Sequence, residues 1–255
     1  MLGNAHMTNY FTNRAPVSEL QKALQAYAQT EKNLKEPNPD LFYNRATILE
    51  YLERYAEAIQ NYNSAYVIDP SLQSDKLASK IVDFFIKTHN IVVSRSGSTQ
   101  KKHLELVNSV PKKIEGVLRF PSHDEKDKPV TKYAVKCIAD LESENVGTIL
   151  PCRILLHLDR PQDVPNSCVV VDSKNVTFVV SFYGTNNTLK EKVHVGDLVY
   201  IKDPQVVFTS ITFQNKVYAY QCVKVHDIRD VIINDGQPLV DIFAGAKAVI
   251  TNTFN

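Results

Sequence analysis

The spacing of hydrophobic residues changes once along the chain. From residue 39 to residue 72, apolar and small residues recur every three or four positions, which is the spacing of one face of a helix. From residue 146, apolar and polar residues alternate in short runs such as SCVVVD, TFVVSFYG and VYAYQCVKV, and Gly, Asn, Asp and Pro separate the runs. The pattern therefore predicts a helical half followed by a β half.

The stretch from 39 to 72 is 34 residues long and predicts two helices joined by a turn at 53–55. Asp69-Pro70 ends the second helix, because proline disfavours a helical conformation at the residue before it. The length and the residue types are those of a tetratricopeptide repeat. The matching positions are Phe42, Ala46, Tyr55, Ala58, Tyr62, Ala65 and Pro70. Arg45 departs from the pattern, because leucine is usual at its position.

A second, partial copy of the repeat precedes the first. Leu2-Gly3 corresponds to the middle of a first helix, and Ala23, Tyr27 and Thr30 correspond to a second helix. The gap from Gly3 to Ala23 is 20 residues where the repeat has 12, so eight extra residues, TNRAPVSE, are expected to lengthen the turn. Because the chain starts in mid-helix, we expect the N-terminal repeats to be missing.

The sequence predicts three regions along the chain. After the repeats, residues 73–93 are expected to form a long amphipathic helix, which is the capping helix that a solenoid needs. A polar, flexible break at 94–99 and a short helix at 100–109 follow it. The expected regions are partial tetratricopeptide repeats with a capping helix over 1–93, a basic linker with a short helix over 94–145, and an OB-fold domain over 146–255.

The β half has the features of a small barrel. Gln214-Asn215-Lys216 lies between two strand-like runs and predicts a hairpin. In VHVGDLVYI, the turn at Gly196-Asp197 leads into a strand, which is typical of an OB-type barrel. The expected fold class is multidomain α then β: a tetratricopeptide-repeat helical solenoid followed by an OB-fold-like antiparallel β-barrel.

Composition and motifs narrow the chemistry. The net charge of +1 argues against a protein that generally coats nucleic acid or adheres to membranes, and residues 73–136 form the biased segment, with 13 basic and 7 acidic side chains. The four cysteines lie far apart and are expected to be buried free thiols. Without a catalytic, phosphate-binding or zinc-spaced motif, we expect no enzyme activity, no cofactor and no metal. Without a signal peptide or an apolar run of about 18 residues, we expect a cytosolic or nuclear protein.

Several strings resemble one known family over nearly the whole chain. They are LGNAHMTNYF, ALQAYAQTEK, NPDLFYNRATILEY, YAEAIQNYNSAYVIDP, VHVGDLVYIKDP, VYAYQCVKV and VIINDGQP. These strings resemble tetratricopeptide repeat protein five, the stress-responsive co-activator family also called Strap. The resemblance implies a non-enzymatic adaptor with helical repeats and a C-terminal OB fold. It implies recognition of the N-terminal Met-Arg-Glu peptide of nascent tubulin at the ribosome, which starts tubulin mRNA decay. The alternative is a nuclear co-activator scaffold that recruits acetyltransferase co-activators and transcription factors in the stress and DNA-damage response.

A peptide-binding face is expected on the first helix of the complete repeat. The consensus positions that line the groove of such repeats are occupied here by Asp40, Tyr43, Asn44, Thr47, Glu50 and Tyr51, and Asn4 takes such a position in the preceding copy. Asparagine both donates and accepts hydrogen bonds, which suits the backbone of an extended peptide. A carboxylate such as Asp40 pairs bidentately with a peptide arginine. The resemblance assigns that contact to Asp40, and the alternative is that Asp40 only caps its helix.

A basic surface is expected after the repeats. Its residues are Arg95, Lys101, Lys102, Lys112 and Lys113, and the resemblance implies that lysines here face ribosomal RNA. The alternative is a solvated linker. The barrel aromatics Phe182, Tyr183, Phe208, Phe213, Tyr218 and Tyr220 also suggest nucleic-acid binding, but alternation places about half of them in the core. Because residues 146–235 have no net charge, we expect the barrel to be a protein-interaction module.

Overall fold

The chain folds into two compact units in a computed structural model, which describes residues 2–13, 15–114, 118–121, 133–160, 165–185, 189–234 and 237–239. Among these residues, the helical unit comprises 2–87 and 209–218, and the β unit comprises 88–208 and 219–239. The predicted order, helices first and strands second, is confirmed. The expected region boundaries at 93/94 and 145/146 stay predictions. The segment 122–132, which is rich in charge, lies outside the described residues.

Five helices account for the first part of the chain. They are α1 (Leu2–Asn13), α2 (Ser18–Asn33), α3 (Pro39–Tyr51), α4 (Tyr55–Ile68) and α5 (Ser74–Arg95). α1 packs on α2, and α3 packs on α4, as expected for two helical pairs. The residues of α5 up to Lys87 count with the helical unit, and its later residues count with the β unit.

Small residues allow the paired helices to approach. Gly3 lies against Tyr27, and a Cβ atom added at Gly3 would come within 2.5 Å of the tyrosine ring. Ala46, Ala58 and Ala65 are fully buried. A larger side chain at these positions has no free volume to fill, because protein interiors are close-packed. The alternation of alanine and tyrosine in the repeat is therefore a packing requirement.

The start of α3 is fixed by Asn38. Its side-chain oxygen accepts hydrogen bonds from the backbone N–H of Asp40 at 2.9 Å and of Leu41 at 3.3 Å. Pro39 occupies the first helical turn, where its missing N–H costs nothing. The alternative that Asp40 caps the helix is therefore wrong, since Asn38 fills that role. Asp40 lies inside the first turn.

Two connections differ from the sequence-based expectation. The eight residues TNRAPVSE do not all form a turn, because α1 continues to Asn13 and α2 begins at Ser18. Thr12 and Asn13 lie in α1, and Ser18 and Glu19 lie in α2, so half of the extra residues lengthen helices. The break expected at 94–99 begins inside α5. Beyond the helix, the backbone N–H of Gly97 donates to the carbonyl oxygen of Asn175 at 2.9 Å, and the side-chain amide of Asn175 donates to the carbonyl oxygen of Ser98 at 3.2 Å. Two hydrogen bonds to Asn175 thus hold this segment.

The β unit is built on one twisted sheet. Its helices are α6 (Lys101–Asn108) and α7 (Leu189–Lys192), and its strands are β1 (Ala134–Val135), β2 (Thr148–Leu158), β3 (Asn166–Val171), β4 (Thr177–Phe182), β5 (Leu198–Lys202), β6 (Gln205–Phe213), β7 (Lys216–Val225), β8 (Val231–Ile233) and β9 (Gln237–Pro238). The strand order is β6-β7-β4-β3-β2-β5-β8-β9, with β1 beside β2, and the tips of β6 and β7 count with the helical unit. Most pairs are antiparallel as expected, but β1 with β2 and β4 with β7 are parallel.

Local turn chemistry sets the strand ends. Gln214 and Asn215 form the two-residue turn between β6 and β7, and both have positive φ, at 48° and 61°. This is the conformation of a tight hairpin turn that follows the twist of its strands. Gly196 has φ 94° and lets the chain enter β5 directly after Asp197. Both turns expected from the sequence are confirmed.

The core of the β unit is aliphatic and aromatic. Its fully or nearly fully buried members include Leu150, Ile154, Val170, Phe178, Val180, Val199 and Val223. Asp172 is also fully buried, and its carboxylate accepts hydrogen bonds from the backbone N–H groups of Ile138, Lys174 and Val176. These bonds hold the β3–β4 turn, because a buried carboxylate needs several donors.

Candidate functional site

One face of α3 carries polar side chains where a helical core usually places apolar ones. Asp40, Asn44 and Thr47 follow each other at intervals of four and three residues, so they share one side of the helix. All three are buried, with exposed fractions of 2%, 0% and 2%. Of the seven groove-lining residues expected from the sequence, five have almost no accessible surface, since Glu50 and Tyr51 are also buried. Tyr43 and Asn4 are half-buried.

Asn4 brings α1 to this face. Its side-chain oxygen accepts a hydrogen bond from the hydroxyl of Tyr27 at 2.7 Å, and the side-chain amide of Asn44 lies 3.5 Å from the same oxygen. Three helices therefore meet at one amide. Burial raises the pKa of Tyr27, so its hydroxyl stays a neutral donor. Asn4 and Asn44, forty positions apart in the sequence, are therefore neighbours in the structure.

A second polar cluster continues the face toward the end of α3. The hydroxyl of Tyr62 donates to Glu50 at 3.0 Å and lies 3.3 Å from the hydroxyl of Thr47. The ring of Tyr43 meets that of Tyr62 edge to face, with 5.5 Å between the centroids. Burial and the charge of Glu50 raise the pKa of Tyr62 well above its usual value. The same causes, burial first, raise the pKa of Tyr43.

Tyr27 and Tyr62 are the functional candidates that sequence reasoning missed. Both occupy repeat positions that are expected to fill the core, and both do so, with 0% exposure. Their hydroxyls nonetheless bond to Asn4 and Glu50. A signal existed in the sequence, because tyrosine at a core position brings a polar tip that must find a partner when buried.

The polar face is negatively charged. Asp40 and Glu50 both contribute carboxylates to it, whereas Arg45, the basic residue of α3, bonds instead to Glu31 and Asn61 of the neighbouring helices. A cationic side chain that approached this face would therefore meet carboxylates and amide or hydroxyl groups. Such a combination is suited to binding an arginine or lysine side chain by charge-assisted hydrogen bonds.

The five residues of the expected basic surface are all exposed. They are Arg95 at the end of α5, Lys101 and Lys102 in α6, and Lys112 and Lys113 beyond α6. Within the described part of the chain, none of them makes an ion pair. The other side of α6 is anchored, because His103 is buried and its Nε2 lies 2.7 Å from Asn175 Oδ1. The lysines thus project from a fixed helix.

A cysteine and a histidine form a pair that superficially resembles a catalytic dyad. The Sγ atom of Cys168 lies 3.2 Å from His157 Nδ1, and His157 Nε2 lies 2.7 Å from the carbonyl oxygen of Val193. Cys168 is fully buried, and burial raises the pKa of its thiol to about 12. A thiol with this pKa is no nucleophile at neutral pH, because the thiolate is the reactive species. The pair is a structural hydrogen bond.

The other chemical expectations concern cysteines, metals and membranes. All four cysteines are free; Cys152, Cys168 and Cys222 are buried as expected, and Cys137 is half-buried instead. Among the residues that the structure describes, no group of three or more His, Cys, Asp or Glu side chains is arranged to hold a metal ion. None of the described helices has the length and apolar character that a membrane span requires.

The chain thus combines a unit of paired, tetratricopeptide-like helices, which has a polar, acidic face, with a small β unit. Comparison with known proteins agrees with this fold. Residues 132–246 match the family model described as the tetratricopeptide repeat protein 5 OB fold domain. The β unit therefore carries the expected OB fold, although that match begins well before residue 146.

The whole chain is similar to curated relatives of one name. It is 27% identical to tetratricopeptide repeat protein 5 of Mus musculus over 242 residues, 26% identical to that of Homo sapiens over 242 residues, and 28% identical to that of Bos taurus over 245 residues. Each alignment covers 93% of this chain and 54% of the relative. The chain is thus similar to tetratricopeptide repeat protein 5 over most of its own length, and it spans about half the length of these relatives.

Proposed function

We propose that this protein is a peptide-reading adaptor that recognises the N-terminal Met-Arg-Glu peptide of nascent tubulin at the ribosome and triggers decay of the tubulin mRNA. The observation that supports the proposal most is the acidic and polar face of α3, with Asp40 in its first turn. Its chemistry suits a peptide that carries an arginine near its start.

Each residue of the face has a role in this proposal. Asp40 accepts two hydrogen bonds from the guanidinium group of the peptide arginine, because carboxylate and guanidinium geometries match. Asn4 and Asn44 bond to the peptide backbone, since an amide both donates and accepts. Thr47 and Tyr43 contact the next peptide residues, Thr47 by its hydroxyl and Tyr43 by its half-buried ring.

The basic surface holds the adaptor beside ribosomal RNA. Lys101 and Lys102 start α6, and Arg95, Lys112 and Lys113 flank that helix in the sequence. Phosphate contacts need only positive charge and proximity, and exposed lysines provide both. Peptide recognition by α3 and ribosome binding by this surface then act together on a ribosome that is translating tubulin.

The direct test of the peptide site is Asp40→Asn in the full-length protein. Asn38 remains the helix cap and asparagine keeps the shape, so the midpoint of thermal unfolding should not change. Affinity for a Met-Arg-Glu peptide should fall roughly tenfold to a hundredfold, since a charge-assisted pair contributes about 1.5–3 kcal/mol. The measurement is fluorescence polarisation with a labelled peptide.

Two controls separate this contact from other effects. Asp83→Asn removes an equal charge from an exposed position of α5 and should leave the affinity unchanged. A peptide with glutamine in place of arginine should bind Asp40→Asn and the natural protein equally. Equal affinity of both proteins for the Met-Arg-Glu peptide would remove Asp40 from the site.

The cellular role is tested by sedimentation with translating ribosomes. We expect co-sedimentation that depends on the nascent Met-Arg-Glu peptide and is lost in Asp40→Asn. Sedimentation that is independent of the peptide, together with retention of the protein on acetyltransferase co-activators, would instead favour the nuclear scaffold.

A further inference from the structure

A polar cleft opens on a different part of the helical unit, between α2, α3 and α4. Its volume is about 560 Å³. The floor contains Phe42, Arg45 and Leu49 of α3, and the walls come from α2 and α4. In a tetratricopeptide repeat, leucine usually occupies the position of Arg45. The cleft is therefore lined by a basic residue where the repeat usually has an apolar one.

Arg45 is held rigidly at the bottom of the cleft. Its side chain is only 16% exposed, and its guanidinium carbon lies 5.0 Å from the centroid of the Phe42 ring. The Nε atom donates to Asn61 Oδ1 and the Nη1 atom to Glu31 Oε2, each at 2.5 Å. Within the described residues Nη2 has no hydrogen-bond partner, so the planar fork of the guanidinium group is only half used.

Glu31 is the replaceable partner of Arg45. Its side chain is 44% exposed, so it can turn into water at little cost. Arg45 cannot do the same, because a buried guanidinium group needs a negative partner in place. A carboxylate from outside can therefore exchange with Glu31. It gains a second hydrogen bond from Nη2, which makes the contact bidentate.

The rest of the lining limits the kind of anion. Arg54 at the rim is held by Glu57 through two hydrogen bonds, at 2.6 and 2.5 Å. The two arginines and the two glutamates of the cleft carry no net charge together. When Glu31 turns into water, the remaining Arg45, Arg54 and Glu57 have a net charge of +1. A single carboxylate restores the balance, and a doubly charged phosphate would exceed it. Leu24 and Ala28 of α2 offer apolar contact for a short aliphatic stem.

We propose that this cleft binds the acidic side chain of a protein partner, with its carboxylate on both terminal nitrogens of Arg45 in place of Glu31. The site goes beyond the proposed reading of a tubulin peptide, because it uses neither Asp40 nor the other residues of that face. It gives the helical unit a second, independent contact with a partner of opposite chemistry: a carboxylate instead of a guanidinium group.

The test is an NMR titration of the full chain that follows the side-chain Nε–H signals of arginine. The probes are the capped tripeptides acetyl-Ala-Glu-Ala-amide and acetyl-Ala-Gln-Ala-amide, and free glutarate. We expect the glutamate peptide to shift the Arg45 signal with saturation, and the glutamine peptide to leave it in place. Glutarate represents a small organic acid, and tighter binding of glutarate than of the glutamate peptide would overturn the assignment to a protein partner.

Variants of the two partners have opposite expected effects. Arg45→Leu restores the usual residue of the repeat, so it should fold and should lose peptide binding by at least about tenfold. Glu31→Gln removes the internal competitor and should tighten binding roughly two- to fivefold, which corresponds to the loss of a half-exposed ion pair. Lys80→Leu is the matched control. Lys80 is an exposed residue of α5, and its replacement makes the same change in charge as Arg45→Leu, so it should not alter binding.

Each possible result with these variants and peptides either supports or overturns the proposed site. If Arg45→Leu does not fold, Arg45→Lys replaces it, and binding should still fall because lysine lacks the planar fork. Unchanged binding in the folded Arg45 variant, weaker binding in Glu31→Gln, or equal shifts with both tripeptides would each overturn the site.

Discussion

The two units differ in the charged side chains that they bury. The β unit buries valine, isoleucine, leucine, phenylalanine and cysteine, with Phe178 and Val180 at 0% exposure. The helical unit buries tyrosines and polar side chains beside its alanines and leucines; the buried polar ones on α3 are Asp40, Asn44, Thr47 and Glu50. Both units also bury neutral polar side chains. The helical unit, however, buries the carboxylates Glu19, Asp40, Glu50 and Glu53, whereas Asp172 is the buried carboxylate among the described residues of the β unit.

This difference bears on the recognition site that we propose. An aliphatic core needs only volume and pattern, and many sequences satisfy it. A buried polar network needs each partner in place, because an unsatisfied group is costly in a low-dielectric interior. The helical unit thus spends stability on polar groups at the face that we propose for peptide reading. The OB fold alone assigns no function, since a fold hosts many functions.

The largest effect on stability is expected from Phe178→Ala in the β unit. Phe178 is fully buried in the aliphatic core, so its removal leaves a cavity and should cost about 3–5 kcal/mol of unfolding free energy. Phe208→Ala is the matched control, because Phe208 is 70% exposed and should change the free energy by less than about 0.5 kcal/mol. Urea unfolding followed by circular dichroism measures both. Similar losses would contradict the apolar character of this core.

A smaller loss is expected from Tyr62→Phe in the helical unit. The change keeps the ring and removes the hydroxyl that donates to Glu50, and it should cost about 1–2 kcal/mol. Tyr66→Phe on the same helix serves as control, since Tyr66 is 38% exposed. Denaturant unfolding compares the two variants. If Tyr62→Phe is as stable as the natural protein, the network is not a stabilising element.

The cap of α3 should contribute about as much or slightly less. Asn38→Ala removes the acceptor for two backbone N–H groups and should lower the unfolding free energy by about 1 kcal/mol. Asn38→Asp retains a capping oxygen and should restore most of the stability. Thermal unfolding of both variants tests this point. A full loss in Asn38→Asp would mean that the side chain acts otherwise than as a cap.

Charge reversal on the basic surface should have the smallest effect on folding. Lys101→Glu with Lys102→Glu changes exposed side chains and should alter stability by less than about 0.5 kcal/mol. Ribosome binding should nevertheless weaken at low salt, and the difference should shrink as salt rises, because phosphate contacts release counterions. Sedimentation across a salt series measures this, with Lys80→Glu and Lys87→Glu as the control pair. Unchanged binding at low salt would show that the lysines form only a solvated surface.

Some features could be predicted from the sequence because they depend on neighbours in the chain. The stripe of Ala46, Ala58 and Ala65 indicated a helical pair, and all three are fully buried. The Gln214-Asn215 turn followed from local turn chemistry. Asn38 before Pro39 also carried a local signal for a helix cap, whereas the alternative interpretation of Asp40 placed the cap two residues later.

Other features could not be predicted from residues that are close in the sequence. The eight extra residues near Arg14 were assigned to a turn, but helix ends depend on packing as well as on propensity. The parallel pairing of β4 with β7 was not expected, because it joins strands about forty residues apart. The barrel aromatics divided as expected, with Phe182 and Tyr220 buried and Phe208 exposed. Which aromatic falls on which side depends on strand register.

The sequence by itself determined the order of helices and strands, the repeat and the turns, because periodicity and turn chemistry act between residues only a few positions apart. The tertiary structure alone decided which polar groups meet. Tyr62 bonds to Glu50 twelve positions away, and Arg45 bonds to Glu31 fourteen positions away on another helix. Such contacts depend on how the helices pack in space. Hydrogen bonds between distant residues leave no periodic pattern in the sequence, so the sequence alone could not predict them. The candidate sites lie in that second group, since recognition needs side chains from several helices at one place.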